Sequence, residues 1–312
     1  MSVRTPLAWL LAAALAVGLG VALAGCGGHQ EEPPPIGLPR SDLPRSKSSH
    51  VVVIVMENKE YDEVLGSGDA PYFNKLAKRY SAPRRLYGIS HPSLPNYLAM
   101  IGGDTFGVDS DCTSCHVKAS SLVDQLEGAG RTWRAYMQGM PHPCYRGAGS
   151  GGYAKKHDPF MYFDAIARND RRCGRVVPYG RLGADLKHGR LPDFAFISPD
   201  LCADTHDCSV RTGDRFLKSV VPALISVLGP HGMLVVTYDE GSSDRGCCGV
   251  AHGGRIATVV AGPDVRQGAT GSGNYSTYSI LRTVEDFFKL PPLRHAAHAR
   301  PLDALFVAPP RY

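Results

Sequence analysis

Val51-Val52-Val53-Ile54-Val55-Met56-Glu57-Asn58 is the stretch that decides how this chain folds. Its β-branched run lacks polar alternation, which suits a strand covered on both faces, as in a parallel sheet. It stops at two oxygen-bearing side chains. Met233-Leu234-Val235-Val236-Thr237-Tyr238-Asp239-Glu240-Gly241 repeats the pattern far downstream. Ligands of open α/β sheets gather at the carboxyl ends of the strands. If the two tips are neighbours, three carboxylates and an amide meet, and they repel unless a cation or a shared proton holds them. A hard divalent metal is the expected occupant, with Glu57, Asn58, Asp239 and Glu240 as ligands.

Between and beyond these strands, helical and strand periods alternate. Spacing predicts helices over 71–80, 98–101, 120–128, 214–228 and 278–290, and strands over 84–89, 132–137, 193–198 and 256–261. Strands alternating with helices imply crossover units, hence an α/β three-layer sandwich with a mostly parallel central sheet. No second linker or internal repeat interrupts residues 50–312, which read as one domain large enough for a substantial core.

Ser90-His91-Pro92-Ser93-Leu94-Pro95-Asn96-Tyr97 leads into an apolar helix whose first turn tolerates Pro95. Ser93 then sits at a helix start, near free backbone donors. A serine hydroxyl becomes a nucleophile when a metal or base lowers its pKa, so coordination of Ser93 to the same cation would activate it. An all-oxygen set favours Ca, Mg or Mn, without excluding zinc. His91, His157 and His206 are candidates to bind phosphate oxygens or protonate a leaving group, with Lys156 and Asn96 as further substrate contacts. An acidic optimum follows if several histidines must be protonated.

The chain has 312 residues and a formal net charge of +5, too mild to argue for nucleic acid yet tolerant of anionic substrates. At the N-terminus, Arg4, the apolar run 10–24 and Leu23-Ala24-Gly25-Cys26 form an export signal that resembles the bacterial lipoprotein type. By that resemblance residues 1–25 are removed and Cys26 is lipidated, which places the protein in the cell envelope. Gly27 favours the outer membrane over the outer face of the cell membrane. A plain secretory peptide, releasing the protein, is the alternative. Residues 26–49, with Pro33-Pro34-Pro35, read as a flexible tether. The nine cysteines suit export. Apart from Cys26 they are even in number: Cys202 with Cys208 is one expected pair, and Cys112 or Cys115 with Cys144 another. Cys247 and Cys248 are expected to pair elsewhere rather than with each other.

Met56-Glu57-Asn58, the Ser90–Tyr97 segment, Lys155-Lys156-His157-Asp158-Pro159-Phe160, Pro199-Asp200-Leu201-Cys202-Ala203-Asp204-Thr205-His206-Asp207, Gly213-Asp214-Arg215-Phe216-Leu217 and Val235–Gly241 occur in this order. Together they resemble the bacterial phosphoesterase family of secreted acid phosphatases and phosphatidylcholine-type phospholipases C, distant relatives of the alkaline phosphatases. The resemblance covers residues 50 to 290 and is strongest to short, single-domain acid phosphatases. It implies an alkaline-phosphatase-like fold, a phosphoseryl intermediate on Ser93, a single metal held by Glu57, Asn58, Ser93, Asp239 and Glu240, and a phosphate pocket lined by His157 and His206. Asp200, Asp204 and His206 are the residues to watch for a second metal.

The substrate implied is a small phosphate ester or a phospholipid headgroup. Phosphomonoester hydrolysis is preferred over a phospholipase C-type reaction, because no segment looks dedicated to lipid insertion. Two readings of other classes compete. Cys112-Thr113-Ser114-Cys115-His116 matches the c-type haem attachment pattern, and a metal-binding lipoprotein without turnover would keep the same ligands.

Overall fold

The computed structural model describes residues 1–2 and 43–308; the export signal, Cys26 and most of the expected tether lie outside the described residues. Leu43 and Ser49 are already buried against the domain, so its packed part begins ahead of residue 50. Among the described residues no helix is long and apolar enough to cross a membrane.

Six strands form the central sheet: β1 (Val51–Met56), β2 (Trp133–Met137), β3 (Val176–Pro178), β4 (Phe194–Ser198), β5 (Met233–Tyr238) and β6 (Thr258–Ala261). Their spatial order is β3-β2-β4-β1-β5-β6, with every pairing parallel except that of β5 with the edge strand β6. Every residue of β1, β4 and β5 is buried, as runs without alternation require when both faces are covered. The helix Pro71–Arg79 packs with Val210–Val227, and Ser93–Gly102 packs with Thr277–Phe288, giving the helical layers of a three-layer α/β sandwich.

Three elements differ from expectation, the first being the helix expected over 98–101, which runs from Ser93 to Gly102. The long helix begins at Val210 rather than 214, because the Ser209 side chain accepts the Thr212 N–H and caps it one turn earlier. The 84–89 segment contributes only Leu86–Tyr87 as a strand, paired with Tyr275–Ser276 in a separate small sheet.

Cys202 and Cys208 are bonded as expected. Cys112 bonds Cys115, and Cys144 takes Cys173, a helix-borne partner absent from the expectation. The neighbours Cys247 and Cys248 bond each other, against the expectation that they would pair elsewhere. With both thiols of the haem-like motif joined in a disulfide, neither can form a thioether to haem.

Candidate active site

The site occupies the carboxyl ends of three adjacent strands. Met56 and Tyr238 are register partners in β1 and β5, so the next residues, Glu57 and Asp239, emerge side by side. Asn58, at φ 55°, donates its backbone N–H to Asp239 Oδ1 at 3.1 Å. On the other flank of β1, β4 runs into the loop 200–208, which the Cys202–Cys208 disulfide closes. This loop is tied to the β1 tip: Glu57 N–H donates to Asp204 O (2.8 Å), and Thr205 Oγ1 donates to Glu57 O (2.8 Å). Gly213 lets the long helix press on the loop, since a Cβ there would lie 2.3 Å from Thr205 Cγ2.

Ser93 is the first residue of its helix and is buried. Its hydroxyl lies 3.0 Å from Glu57 Oε2 and 3.2 Å from Glu240 Oε1, with donor geometry to both carboxylates. Glu240 in turn accepts from His91 Nδ1. Asn96 holds the approach to this helix. Its Oδ1 accepts the N–H groups of Ile89 and Ser90 (2.7 and 3.1 Å), while its Nδ2 donates to Ser90 O and Pro92 O (2.7 and 3.2 Å). A fully buried amide with both ends so engaged holds the Ser93 loop, whereas the expectation for Asn96 was a substrate contact.

Beneath Ser93 the carboxylates outnumber their partners. Glu57, Asp204 and Asp239 are fully buried, and His157 is almost so. His157 stacks on Tyr97 at 5.2 Å and lies between two acids, Nε2 3.2 Å from Glu57 Oε1 and Nδ1 3.1 Å from Asp204 Oδ2. Neither approach has hydrogen-bond geometry: Glu57 Oε1, His157 Nε2, Asp204 Oδ2 and Asp239 Oδ2 are all buried without a hydrogen-bond partner. Burial pushes Glu57 well above the usual carboxylate range, and the charges of Asp239 and Asp204 add to it. Burial likewise raises Asp204 and Asp239. Burial, reinforced by Lys156 and His206, pushes His157 well below the usual imidazole range, leaving a neutral ring with a free lone pair.

Orphaned buried acceptors around mutually destabilised carboxylates are what a cation would satisfy. Ligating atoms of Glu57, His157 and His206 lie within 4.8 Å of one another. The donor set therefore gains two imidazoles over the all-oxygen set expected from the sequence, so the case for a hard ion over zinc weakens. Of the residues watched for a second metal, His206 belongs to this cluster, and Asp204 abuts it at His157 Nδ1. Asp200 instead caps its own loop, accepting the N–H groups of Cys202 and Ala203 on Oδ1 (3.1 and 2.8 Å).

The mouth of the site is partly exposed, and its basic groups are paired with acids. Lys156 Nζ bridges Asp111 Oδ2 (2.9 Å) and His206 Nε2 (3.1 Å), and His206 Nδ1 pairs with Asp207 Oδ1 at 2.6 Å. Asp111 also accepts the Leu94 N–H on Oδ1 (3.0 Å), tying the Ser93 helix start to Lys156. Sequence reasoning missed Asp111, which sits in a turn-like stretch whose only evident signal is its adjacency to Cys112.

Comparison with known proteins bears on the family and the fold. The Phosphoesterase family model matches residues 67–291. A phosphatidylinositol-3-phosphatase of Mycobacterium tuberculosis is 31% identical over 275 residues, covering 86% of each chain. A probable acid phosphatase of Kluyveromyces lactis is 27% identical over 277 residues, and the match takes in 84% of this chain and 64% of that one. An acid phosphatase of Aspergillus fumigatus is 27% identical over 251 residues, covering 76% and 54%. The chain thus spans little more than half the length of these fungal relatives. Solved structures with the same fold include an alkaline phosphatase superfamily protein from Vibrio parahaemolyticus (TM-score 0.55, 12% identity, covering 84% of this chain and 72% of that one). Murine ectonucleotide pyrophosphatase/phosphodiesterase 5 is another (TM-score 0.52, 12% identity, covering 80% and 97%). Since the family match takes in most of the sheet and the mycobacterial likeness runs along nearly the whole length of both proteins, this chain belongs to the Phosphoesterase family and is a phosphoric ester hydrolase.

Proposed function

We propose that the protein is an acid phosphatase that hydrolyses phosphate monoesters through Ser93, with one divalent metal held among the buried acids. The observation that carries this reading is the Ser93 hydroxyl aimed at Glu57 and Glu240 above four orphaned polar atoms. Glu57, Asp239, His157 and His206 would hold the metal, with Asn58, Glu240 and Ser93 beside them. A bound divalent ion supplies positive charge that favours the serine alkoxide and offsets charge developing on the phosphoryl oxygens. Ser93 Oγ attacks phosphorus as the bond to the ester oxygen breaks; its proton passes to a carboxylate it faces and from there to the ester oxygen, which departs as the alcohol. Water then hydrolyses the phosphoseryl group and frees phosphate. Lys156 and His91 line the mouth and receive the anionic oxygens of the substrate.

The acid phosphatase and phosphatidylinositol-3-phosphatase names of the relatives support monoesters, including phosphoinositide headgroups, as the substrate class. Lipid anchoring through Cys26 belongs to the same proposal and rests on the sequence of residues 1–26. Cys26→Ala should move the protein from the detergent phase to the aqueous phase on Triton X-114 partition. For the chemistry, Ser93→Ala should lower p-nitrophenyl phosphate turnover by about 10⁴-fold or more, with metal content by elemental analysis unchanged. Turnover at the parental rate would move the nucleophile elsewhere, and faster cleavage of p-nitrophenyl phosphorylcholine would make the enzyme a diesterase.

A further inference from the structure

A second concavity of about 650 Å³ lies beside the site, walled by Arg84, Arg85, Arg245 and Arg255 with Tyr87 and Thr270; no carboxylate lines it. Two of its arginines are engaged locally. Arg85 donates to the Ser272 carbonyl. Arg255 lies 3.6 Å over the Tyr61 ring, donates from Nε to Arg84 O at 2.6 Å, and is 3.9 Å from Asp62. The guanidinium groups of Arg84 and Arg245 make no hydrogen bond or ion pair among the described residues. Four like charges on one wall repel, and a concave wall focuses their field on whatever enters. Guanidinium forks match phosphate oxygens in geometry as well as charge.

The wall continues into the catalytic site through one short run of chain. Tyr87 bridges Arg255, and Gly88 exchanges hydrogen bonds with Gly253 and Gly254 at 3.0 Å each. Gly88 also presses on the acid strand tip, where a Cβ would lie 2.8 Å from Asp239 O. Three residues after Gly88, and four after Tyr87, His91 contacts Glu240. Four residues of chain span at most about 14 Å, so Tyr87 on the cavity wall and His91 beside Glu240 lie within the reach of one extended molecule that carries two phosphates.

We propose that the arginine-walled cavity is a second anion subsite, taking a further phosphate group of a multiply phosphorylated substrate while Ser93 addresses the phosphate to be cleaved. The inference rests on the reading of Ser93 as the centre of hydrolysis. It makes Arg84 and Arg245 determinants of specificity, outside the catalytic machinery.

The test compares hexyl phosphate with 1,6-hexanediol bisphosphate in the parent and in the double variant Arg84→Ser/Arg245→Ser, whose altered side chains are exposed. In the parent, kcat/KM should favour the bisphosphate by about tenfold or more, the worth of one charge-assisted contact. In the variant that preference should collapse while hexyl phosphate turnover stays at the parental rate. No preference in the parent, or a preference that survives the variant, overturns the proposal. Calorimetric titration of 1,6-hexanediol bisphosphate into Ser93→Ala, with and without the two arginine changes, reads the cavity without turnover. Binding about tenfold weaker after the arginine changes supports the subsite, even if neither ester is hydrolysed and the catalytic reading fails. Equal binding refutes the subsite even if both esters are cleaved. A soluble inositol bisphosphate, tested against phosphatidylinositol bisphosphate in phosphatidylcholine vesicles, identifies the source. Loss confined to the soluble form assigns a free metabolite, loss confined to the vesicles assigns a lipid, and loss with neither counts against the subsite.

Discussion

Asp185 and the Glu57–Asp204–Asp239 group are both wholly buried acids, yet their surroundings differ in kind. Asp185, on the helix Arg181–Lys187, is met by Arg134 and by Tyr136 Oη at 3.0 Å on one oxygen. Arg181 reaches its other oxygen at 3.0 Å, with Arg190 at 3.8 Å. That carboxylate is satisfied by groups the chain supplies. At the tips of β1 and β5, buried oxygens of Glu57, Asp204 and Asp239 have no hydrogen-bond partner, and no arginine or lysine pairs with them in an ion pair among the described residues. Burying a charge costs several kcal/mol unless it is paired, so the first arrangement serves the fold and the second fits the cation we propose.

The contrast can be broken most forcefully at Asp185. Asp185→Leu strands Arg134 and should cost about 3 kcal/mol of stability, whether or not a chelator is present. Urea denaturation measures this, and a loss below about 1 kcal/mol would mean that water serves Arg134 as well as Asp185 does.

Chelation probes the other cluster. Removing a metal present at about a hundredfold over its Kd should lower parental stability by about 2.7 kcal/mol, and Glu57→Gln should suppress most of that change. The metal-free protein should also lose stability as pH rises. Its buried acids sit above the usual carboxylate range in the folded state, so their stabilising contribution is full at low pH and is lost between the unfolded and folded pKa values. Thermal melts across pH, with and without chelator, should diverge towards neutrality; parallel curves would leave the acids without a cation to hold.

Asn96→Ala tests whether Ser93 depends on its scaffold as much as on the acids. Loss of the four hydrogen bonds to the loop should cost about 10–100-fold in kcat with little change in KM, because the nucleophile is misplaced while the mouth is intact. A change in KM alone would restore Asn96 as a substrate contact. The smallest effect concerns a buried acid remote from both clusters. Burial pushes Glu285 up to about 8, although it accepts the Leu293 N–H at 2.8 Å. Glu285→Gln keeps that acceptor and removes the titration. It should be neutral near pH 4 and stabilising by about 1–2 kcal/mol near pH 8 once screening is allowed for, read as a rising difference in Tm.

The strand tips were legible because an unbroken β-branched run can be little else than a doubly covered strand, and its end marks where ligands collect. Ser93 was legible through its place at a helix start. What local patterns do not carry is which side chains converge from loops. His157 was expected to line the phosphate pocket, but it is wedged between Glu57 and Asp204, a position fixed by stacking on Tyr97. Asp111 joins the Ser93 helix to Lys156 across a long stretch of sequence, with no motif to announce it. The pairing expected of Cys144 failed similarly, although that of Cys202 with Cys208 held: Cys173 lies 29 residues beyond Cys144, and only folding makes them adjacent.

The Cys202–Cys208 ring carries a consequence for where such an enzyme works. It closes the loop that delivers Asp204 and His206, so two members of the acid–imidazole cluster depend on a bond that reducing surroundings do not sustain. A copy kept among reducing thiols would hold those two groups on an open loop, so the hydrolysis we propose should call for an oxidising milieu.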